Sequence, residues 1–222
     1  MLRIHVGWAV ALGLCVLVAR GEVPTYETFE LQCRANFSGA YNLPNGAFFT
    51  SNTPALNDPG QVVIKLTTYP GSDAQAIWFG GQGSGGVVFF SQPDAFFGSV
   101  SLNNAGKAVF DQFLGTQNGI YYYDGAAAAG GLLTALPFGA TAWSSPQINA
   151  AGQVGYRAGF SGPQAWVSYD GTPTVAVHAA EVGLQPTSPY SFLFTPAFNN
   201  NRQIAGKVRL GGAGQTGESQ PD

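Results

Sequence analysis

Charge is the scarcest property of this 222-residue chain: Asp, Glu, Lys and Arg make up only 9% of it, against about 25% in an average soluble domain. A coiled coil or helical solenoid draws on Glu, Lys, Arg and Leu, so neither fits. Histidine and cysteine occur twice each, too few for a His/Cys zinc centre or a disulfide framework. Nine scattered bases and a net charge of −3 offer no basic face to nucleic acid or to an anionic membrane. The longest uncharged apolar run, Val6 to Ala19, falls short of the roughly 20 residues of a membrane span.

What is present narrows the class further. The chain carries 31 glycines and 14 prolines beside 16 Phe, 9 Tyr and 4 Trp, and 45% of it is hydrophobic. Disordered chains lack such aromatic content, and no glycine recurs at every third position as collagen requires. An all-β fold with many tight turns and a sizeable core remains.

The N-terminus reads as an export address. Arg3 and His5 precede the apolar run, and Ala19-Arg20-Gly21 puts small residues at positions −3 and −1 of a cut before Glu22. Residues 1–21 are therefore expected to be a signal peptide, an uncleaved anchor being the alternative. Removing them takes two of the nine bases and none of the 12 acids, which moves the net charge from −3 to −5. Cys33 and His178 are then the sole residues of their types. Cys33 reads as a small buried hydrophobe rather than an intermolecular partner.

A repeat organises the rest. Four segments align without gaps, at Thr53–Val62, Ser99–Ala108, Ser145–Val154 and Thr195–Ile204, and their shared asparagines, Asn57, Asn103, Asn149 and Asn199, are spaced by 46, 46 and 50. An apolar residue precedes each Asn, and Gly60, Gly106 and Gly152 follow three positions later. This is a β-turn signature, with Asn capping the turn and Gly taking positive φ. The fourth copy has Arg202 in place of glycine, so Asn201 is expected to take the left-handed position there. Eight residues past each Asn stands a polar side chain (Lys65, Asp111, Arg157, Lys207). Its place near a strand end suggests a solvent-facing or rim position; a functional charged ring is the sharper reading, against which the mixed sign counts.

Strand-like runs follow each turn, at 61–66, 107–113, 153–160 and 203–210. Aromatic runs ending in Gly-Gly or Asp-Gly come next, at 76–81, 120–125 and 166–171, and are hairpin signals. Further strands are expected at 87–90, 132–136 and 174–182, with Phe48-Phe49, Phe96-Phe97, Trp143 and Phe192 leading into the next turn. Four strands per 46 residues, in units unable to bury a core alone, match the blade of a β-propeller. The expected architecture is all-β and propeller-like, with about four four-stranded blades. The repeats are placed near 53–98, 99–144 and 145–194, with a partial one at 195–210 and a Gly-rich polar tail at 211–222.

These motifs resemble a family of exported bacterial repeat proteins. Their unit has the form (Pro)-x-Ile-Asn-x-x-Gly-Gln-Val-x-Phe, followed by an Ile-Trp/Tyr…Asp-Gly hairpin, and the likeness covers roughly residues 29 to 210. It implies a propeller of a group mostly without assigned function, some members of which carry a C-terminal sorting segment; residues 211–222 do not contain one. Phe29–Cys33 followed by Asn42–Gly46 resembles the last strand and exit loop of a preceding blade. Either the N-terminal half-repeat completes the last one and closes a four-bladed ring, or the chain is a truncated piece of a larger propeller. The tail lacks the Trp/Tyr…Asp-Gly element, which favours the second.

Candidate chemistry is sparse. Gly81, Gly83 and Gly86, and again Gly212, Gly214 and Gly217, spell Gly-x-Gly-x-x-Gly. The first runs into an expected strand and the second into the tail, so neither has the helix N-terminus a dinucleotide needs. No Gly-x-Ser-x-Gly elbow exists, and His178, with Glu181 three residues on, has no evident catalytic partners. Asp124 and Asp170 are most simply hairpin residues, and no cofactor or metal is expected. Asn36-Phe37-Ser38 is a glycosylation sequon of consequence only in a eukaryotic host. The chain is expected to be a secreted, periplasmic or cell-surface module that is not an enzyme and binds an extracellular protein or glycan. No nucleic acid and no membrane span after signal cleavage is expected. The alternative is a carbohydrate-binding or carbohydrate-active propeller with Trp78, Tyr121 and Trp166 as stacking platforms.

Overall fold

The computed structural model describes residues 29–34, 43–49, 53–67, 69, 71, 74–113, 118–133, 139–172 and 175–213. The expected signal peptide, the sequon and the tail beyond residue 213 lie outside the described residues.

Each repeat folds as an antiparallel meander because its strands are short and separated by Asn, Gly and Asp-Gly turns. The first sheet joins β1 (Ala55–Leu56), β2 (Val62–Leu66), β3 (Ala76–Gly81) and β4 (Ser84–Phe90). The second contains β5 (Phe96–Leu102), β6 (Lys107–Phe113), β7 (Gly119–Asp124) and β8 (Ala129–Leu132). The third contains β9 (Ala142–Ile148), β10 (Val154–Gly159), β11 (Gln164–Tyr169) and β12 (Ala176–Ala180). A two-stranded half-blade, β13 (Tyr190–Phe198) and β14 (Ile204–Leu210), follows. The described residues thus form three blades and a half in an open, all-β, propeller-like arc. Sheet membership divides the chain at 90/96, 132/142 and 180/190, so the repeat bounds at 98/99, 144/145 and 194/195 pass through β5, β9 and β13.

Those first strands touch one another in succession, β1 against β5, β5 against β9 and β9 against β13, and so line a common axis. The fourth strands carry exposed residues, as in Ala129-Gly130 and Ala176–His178. Each axial strand from β5 onward carries an extra residue relative to its neighbour, within 97–100, 144–147 and 193–196, and β13 carries a second within 190–192. Such bulges turn backbone amides and carbonyls out of the ladder.

Both faces of the middle strands are buried, and strand alternation sorts their residues between two cores. On β2 and β3, Val62, Ile64, Leu66, Ala76 and Trp78 pack with Leu43 and Ala47. The opposite face, Val63 and Ile77, meets Phe97, Ala108, Phe110 and Tyr121 of the second blade. Val109 and Ile120 then face Trp143, Val154, Tyr156 and Val167 of the third. Residues 43–49 are therefore a cap on the first blade, closed by Ala47 N–H to Pro44 O and Thr67 N–H to Phe48 O. Residues 29–34 form no strand, contrary to the expected exit strand of a preceding blade; Gln32 instead accepts the Gln82 N–H at the β3–β4 hairpin. Half-buried Cys33 packs beside this cap, and burial raises its thiol pKa.

Candidate functional site

The repeated asparagine turns have the expected local geometry and a second role that reaches across blades. The side-chain oxygens of Asn57, Asn103, Asn149 and Asn199 accept the N–H four residues on, at 2.8, 3.0, 2.9 and 2.9 Å. Gly60, Gly106 and Gly152 close the turns with φ of 80, 75 and 81°. In the fourth turn Arg202 itself adopts φ 62°, not Asn201 as expected, and its guanidinium pairs with Asp170 of the third blade at 2.8 Å. The asparagine amide nitrogens then form a ladder. Asn57 donates to Asn103 O, Asn103 to Asn149 O and Asn149 to Asn199 O, at 3.0, 3.0 and 3.3 Å. One residue type thus both closes its own turn and ties it to the next blade.

A second set of bonds crosses the blade junctions at the axial strands, and here the side chains eight residues past each Asn matter. Lys65 is buried, not at a solvent-facing rim, and its ammonium donates to Phe97 O of the second blade at 2.7 Å. The Phe97 N–H donates to Gln75 Oε1 of the first blade at 2.9 Å. The junction of the third blade with the half-blade repeats this arrangement. Arg157 donates to Leu193 O at 3.2 Å, and Leu193 N–H donates to Glu181 Oε1 at 2.9 Å. Phe97 and Leu193 occupy the same repeat position, six before the asparagine. In both places a cation and an acceptor of the preceding blade hold one backbone residue of the bulged strand.

The middle junction departs from this scheme. The equivalent axial residue is Trp143, and the residue that should reach it with a cation is Asp111. A carboxylate has no proton to donate to a carbonyl. Asp111 turns back onto its own blade and accepts the Ser99 N–H at 2.7 Å. Gly98 makes room for it, since a Cβ there would land on the carboxylate. The carboxylate is only 2% exposed. Burial pushes its pKa up to about 6, against the opposing pull of the Ser99 N–H, the Lys65 ammonium and the Arg157 guanidinium. Burial likewise lowers the pKa of Lys65, with Asp111 opposing.

Where the clamp is interrupted, a pocket opens. It encloses about 340 Å³ between β6, β9 and β10 and is lined by Asp111, Phe113, Trp143, Ser144, Arg157 and Gln164, among others. Two buried polar atoms of these residues have no hydrogen-bond partner, Trp143 Nε1 and Gln164 Oε1. Such orphans are rare in folded proteins and call for an explanation. Arg157 Nε holds Ser144 Oγ at 3.1 Å, so this hydroxyl sits beside a guanidinium rather than a base. A larger groove of about 520 Å³ lies at the β3–β4 hairpin, but none of its lining residues is an acid, base or buried orphan.

The other sequence candidates fall elsewhere. Trp78, Tyr121 and Trp166 are 0, 5 and 5% exposed, which corrects the expectation of stacking platforms: both faces of the middle strands are core, so no sugar ring reaches them. Trp166 Nε1 donates to Phe194 O at 2.8 Å and ties the third blade to the half-blade. Gly81, Gly83 and Gly86 belong to the β3–β4 hairpin, where Gln82 and Gly83 have φ of 47 and 79°. Asp124 and Asp170 cap their hairpins by accepting N–H groups two residues on. His178 Nε2 is 2.8 Å from Ser168 Oγ, but Ser168 is buried and Glu181 is engaged at the axial clamp instead. Among the described residues no three His, Cys, Asp or Glu side chains converge as a metal centre would require.

No family model and no curated protein matches the sequence. Fourteen solved chains match the structure. One is assigned as TolB from Agrobacterium tumefaciens, with a TM-score of 0.51 and 14% identity over 76% of this chain. The match spans 59% of the length of that protein. At this identity the likeness is one of fold, and it agrees with the propeller-like arrangement of the blades.

Proposed function

We propose that this chain is an exported, non-enzymatic binding module that takes an extracellular ligand in the pocket between β6, β9 and β10. One observation carries the reading: of three blade junctions built on the same plan, two are clamped by a cation and the middle one holds a buried carboxylate over a pocket. A carboxylate that burial makes costly to ionise, standing in a cleft with cations near it, is a candidate functional group. Two unpartnered polar atoms on the same wall supply unspent hydrogen-bonding capacity. Binding rather than catalysis is favoured because the pocket hydroxyl, Ser144, is hydrogen-bonded to Arg157, while the pocket acid, Asp111, is engaged with the Ser99 N–H and not with that hydroxyl. Export rests on the N-terminal signal pattern.

The variant Asp111→Lys tests the reading, because it gives the middle junction the cation that the first junction has. A panel of extracellular peptides, amines and glycans is screened by the shift each causes in the unfolding temperature. At least one ligand is expected to stabilise the wild type and leave Asp111→Lys unmoved. A panel in which every ligand acts equally on both proteins, or on neither, contradicts the assignment of the pocket.

A further inference from the structure

We infer that the pocket at the middle junction receives an organic cation, the ammonium or guanidinium head of an alkyl side chain, in the place where the other two junctions hold Lys65 and Arg157. The inference deepens the reading of the pocket as a binding site and rests on it. Its first support is the repeat. At the first junction Lys65 donates to Phe97 O, and at the third Arg157 donates to Leu193 O. Among the described residues no side-chain cation donates to the Trp143 carbonyl at the middle one, and Asp111 reverses the charge there.

The second support is the balance of groups around the pocket. Arg157 and Glu181 are both engaged at the peptide groups of Leu193, and Arg157 acts on Asp111 through space from the pocket wall without forming an ion pair with it. Lys65, from β2, is bound to the carbonyl of Phe97. Asp111 is left as the acid without an ion-pair partner of its own; the ion pairs among the described residues are Lys107–Asp124 and Arg202–Asp170, at the turns. Unpartnered Gln164 Oε1 adds a second acceptor. A buried charge of this kind is stabilised by a counter-charge that also donates hydrogen bonds.

The third support is the shape and the remaining wall. Phe113 and Trp143 give the pocket apolar surface for an alkyl stem and ring faces for a cation. A volume of about 340 Å³ is at the lower end for ligand pockets and suits one long side chain rather than an oligosaccharide. Trp143 Nε1 is a buried donor without a partner on a residue of the pocket wall, so a ligand with an acceptor next to its cationic chain would gain this bond once the indole edge shifts to meet it. A lysine or arginine residue, with its own peptide carbonyl, has this combination; a simple amine has the cation alone.

Calorimetric titration of the wild-type chain at pH 7.5 and low salt tests the assignment. The probes are the blocked peptide Gly-Gly-Lys-Gly-Gly, the same peptide with norleucine for lysine, and butylammonium chloride. The lysine peptide is expected to bind at least about tenfold more tightly than the norleucine peptide. Binding should weaken at least about tenfold in Asp111→Asn, and should weaken in the wild type as the pH falls from 7.5 to 5. In that window Asp111 takes up a proton, while Lys65 and Arg157, which face it from β2 and β10, keep their charges. Trp143→Phe retains the ring and removes the indole N–H; it should weaken the peptide and leave butylammonium unchanged. Peptide binding stronger than butylammonium points to a polypeptide source, and equal binding to a free amine; both support the cation site. Equal affinity for the lysine and norleucine peptides, absence of binding, or indifference to Asp111→Asn overturns it. If a panel ligand of another chemistry is still lost in Asp111→Lys, only the cation assignment falls; if none is, the binding reading falls with it.

Discussion

Replacing Asp111 with Asn should stabilise the protein at neutral pH and change little in acid. The reason lies in the environment of the carboxylate, which is 2% exposed and has its pKa pushed from an ordinary 3.8 up to about 6. Below pH 4 both the folded and the unfolded chain carry the proton, and the neutral acid sits in place at no electrostatic cost. Between about pH 4 and 6 the folded state keeps a proton that the unfolded chain has released, so stability falls as the pH rises through this window. Above about pH 7 the loss is complete. A shift of about 2 pK units corresponds to about 3 kcal/mol. Asn retains an oxygen to accept the Ser99 N–H and carries no charge. The assay is urea unfolding of both proteins from pH 3.5 to 8, using the difference between them so that other titrating groups cancel. The advantage of Asp111→Asn is expected to grow by about 3 kcal/mol across that range, with a midpoint near pH 5, halfway between the unfolded and folded pKa values. A difference that stays flat, or that favours Asp at pH 8, refutes the claim that burial outweighs Lys65 and Arg157.

The asparagine ladder gives a second expectation. Asn103→Ala leaves the Lys107 and Ala105 N–H groups without their side-chain acceptor and removes one of the two donors to the Asn149 carbonyl, which keeps the Gly152 N–H, at a cost of about 1–3 kcal/mol by denaturant unfolding. Asn103→Asp keeps the turn acceptor but points an oxygen at Asn149 O. If it unfolds as easily as Asn103→Ala, the inter-blade bond dominates; a stability equal to the wild type would show that the bond contributes nothing. In the fourth turn, Arg202→Gly relieves a left-handed backbone worth about 1 kcal/mol and gives up a surface ion pair of little weight. A small rise in unfolding temperature is expected, and a fall would assign the ion pair a larger role than its exposure allows.

Much of the fold is legible in the residues because turn chemistry is local. Asn-x-x-Gly closes a turn by bonds within five residues, and Gly-Gly or Asp-Gly marks a hairpin, so period and strand order follow. What the pattern does not carry is the direction each strand face meets. Alternation places Trp78 and Ile77 on opposite faces of β3, but only the neighbouring blade and the 43–49 cap decide that both faces are buried. For that reason Trp78, Tyr121 and Trp166 look like platforms in the sequence and are core in the fold. The inter-blade bond of each asparagine amide spans 46 or 50 residues and leaves no local trace. The site did leave one. Lys65, Asp111, Arg157 and Lys207 share a repeat position, and the sign reversal at Asp111, which counted against a charged ring, is what distinguishes the middle junction. Recognising it requires the partners of Lys65 and Arg157, which are backbone carbonyls and have no sequence signature.

The middle junction is an interrupted form of the clamp at the other two, and equilibrium unfolding of Asp111→Lys at pH 7.5 puts this to the test. A lysine there can donate to the Trp143 carbonyl as Lys65 donates to Phe97 O, and it removes the buried carboxylate. The variant is expected to be more stable than the wild type, by up to about 3 kcal/mol if the whole ionisation cost of Asp111 is recovered. A variant less stable than the wild type would contradict the account, since it would make the carboxylate part of what holds the second and third blades together.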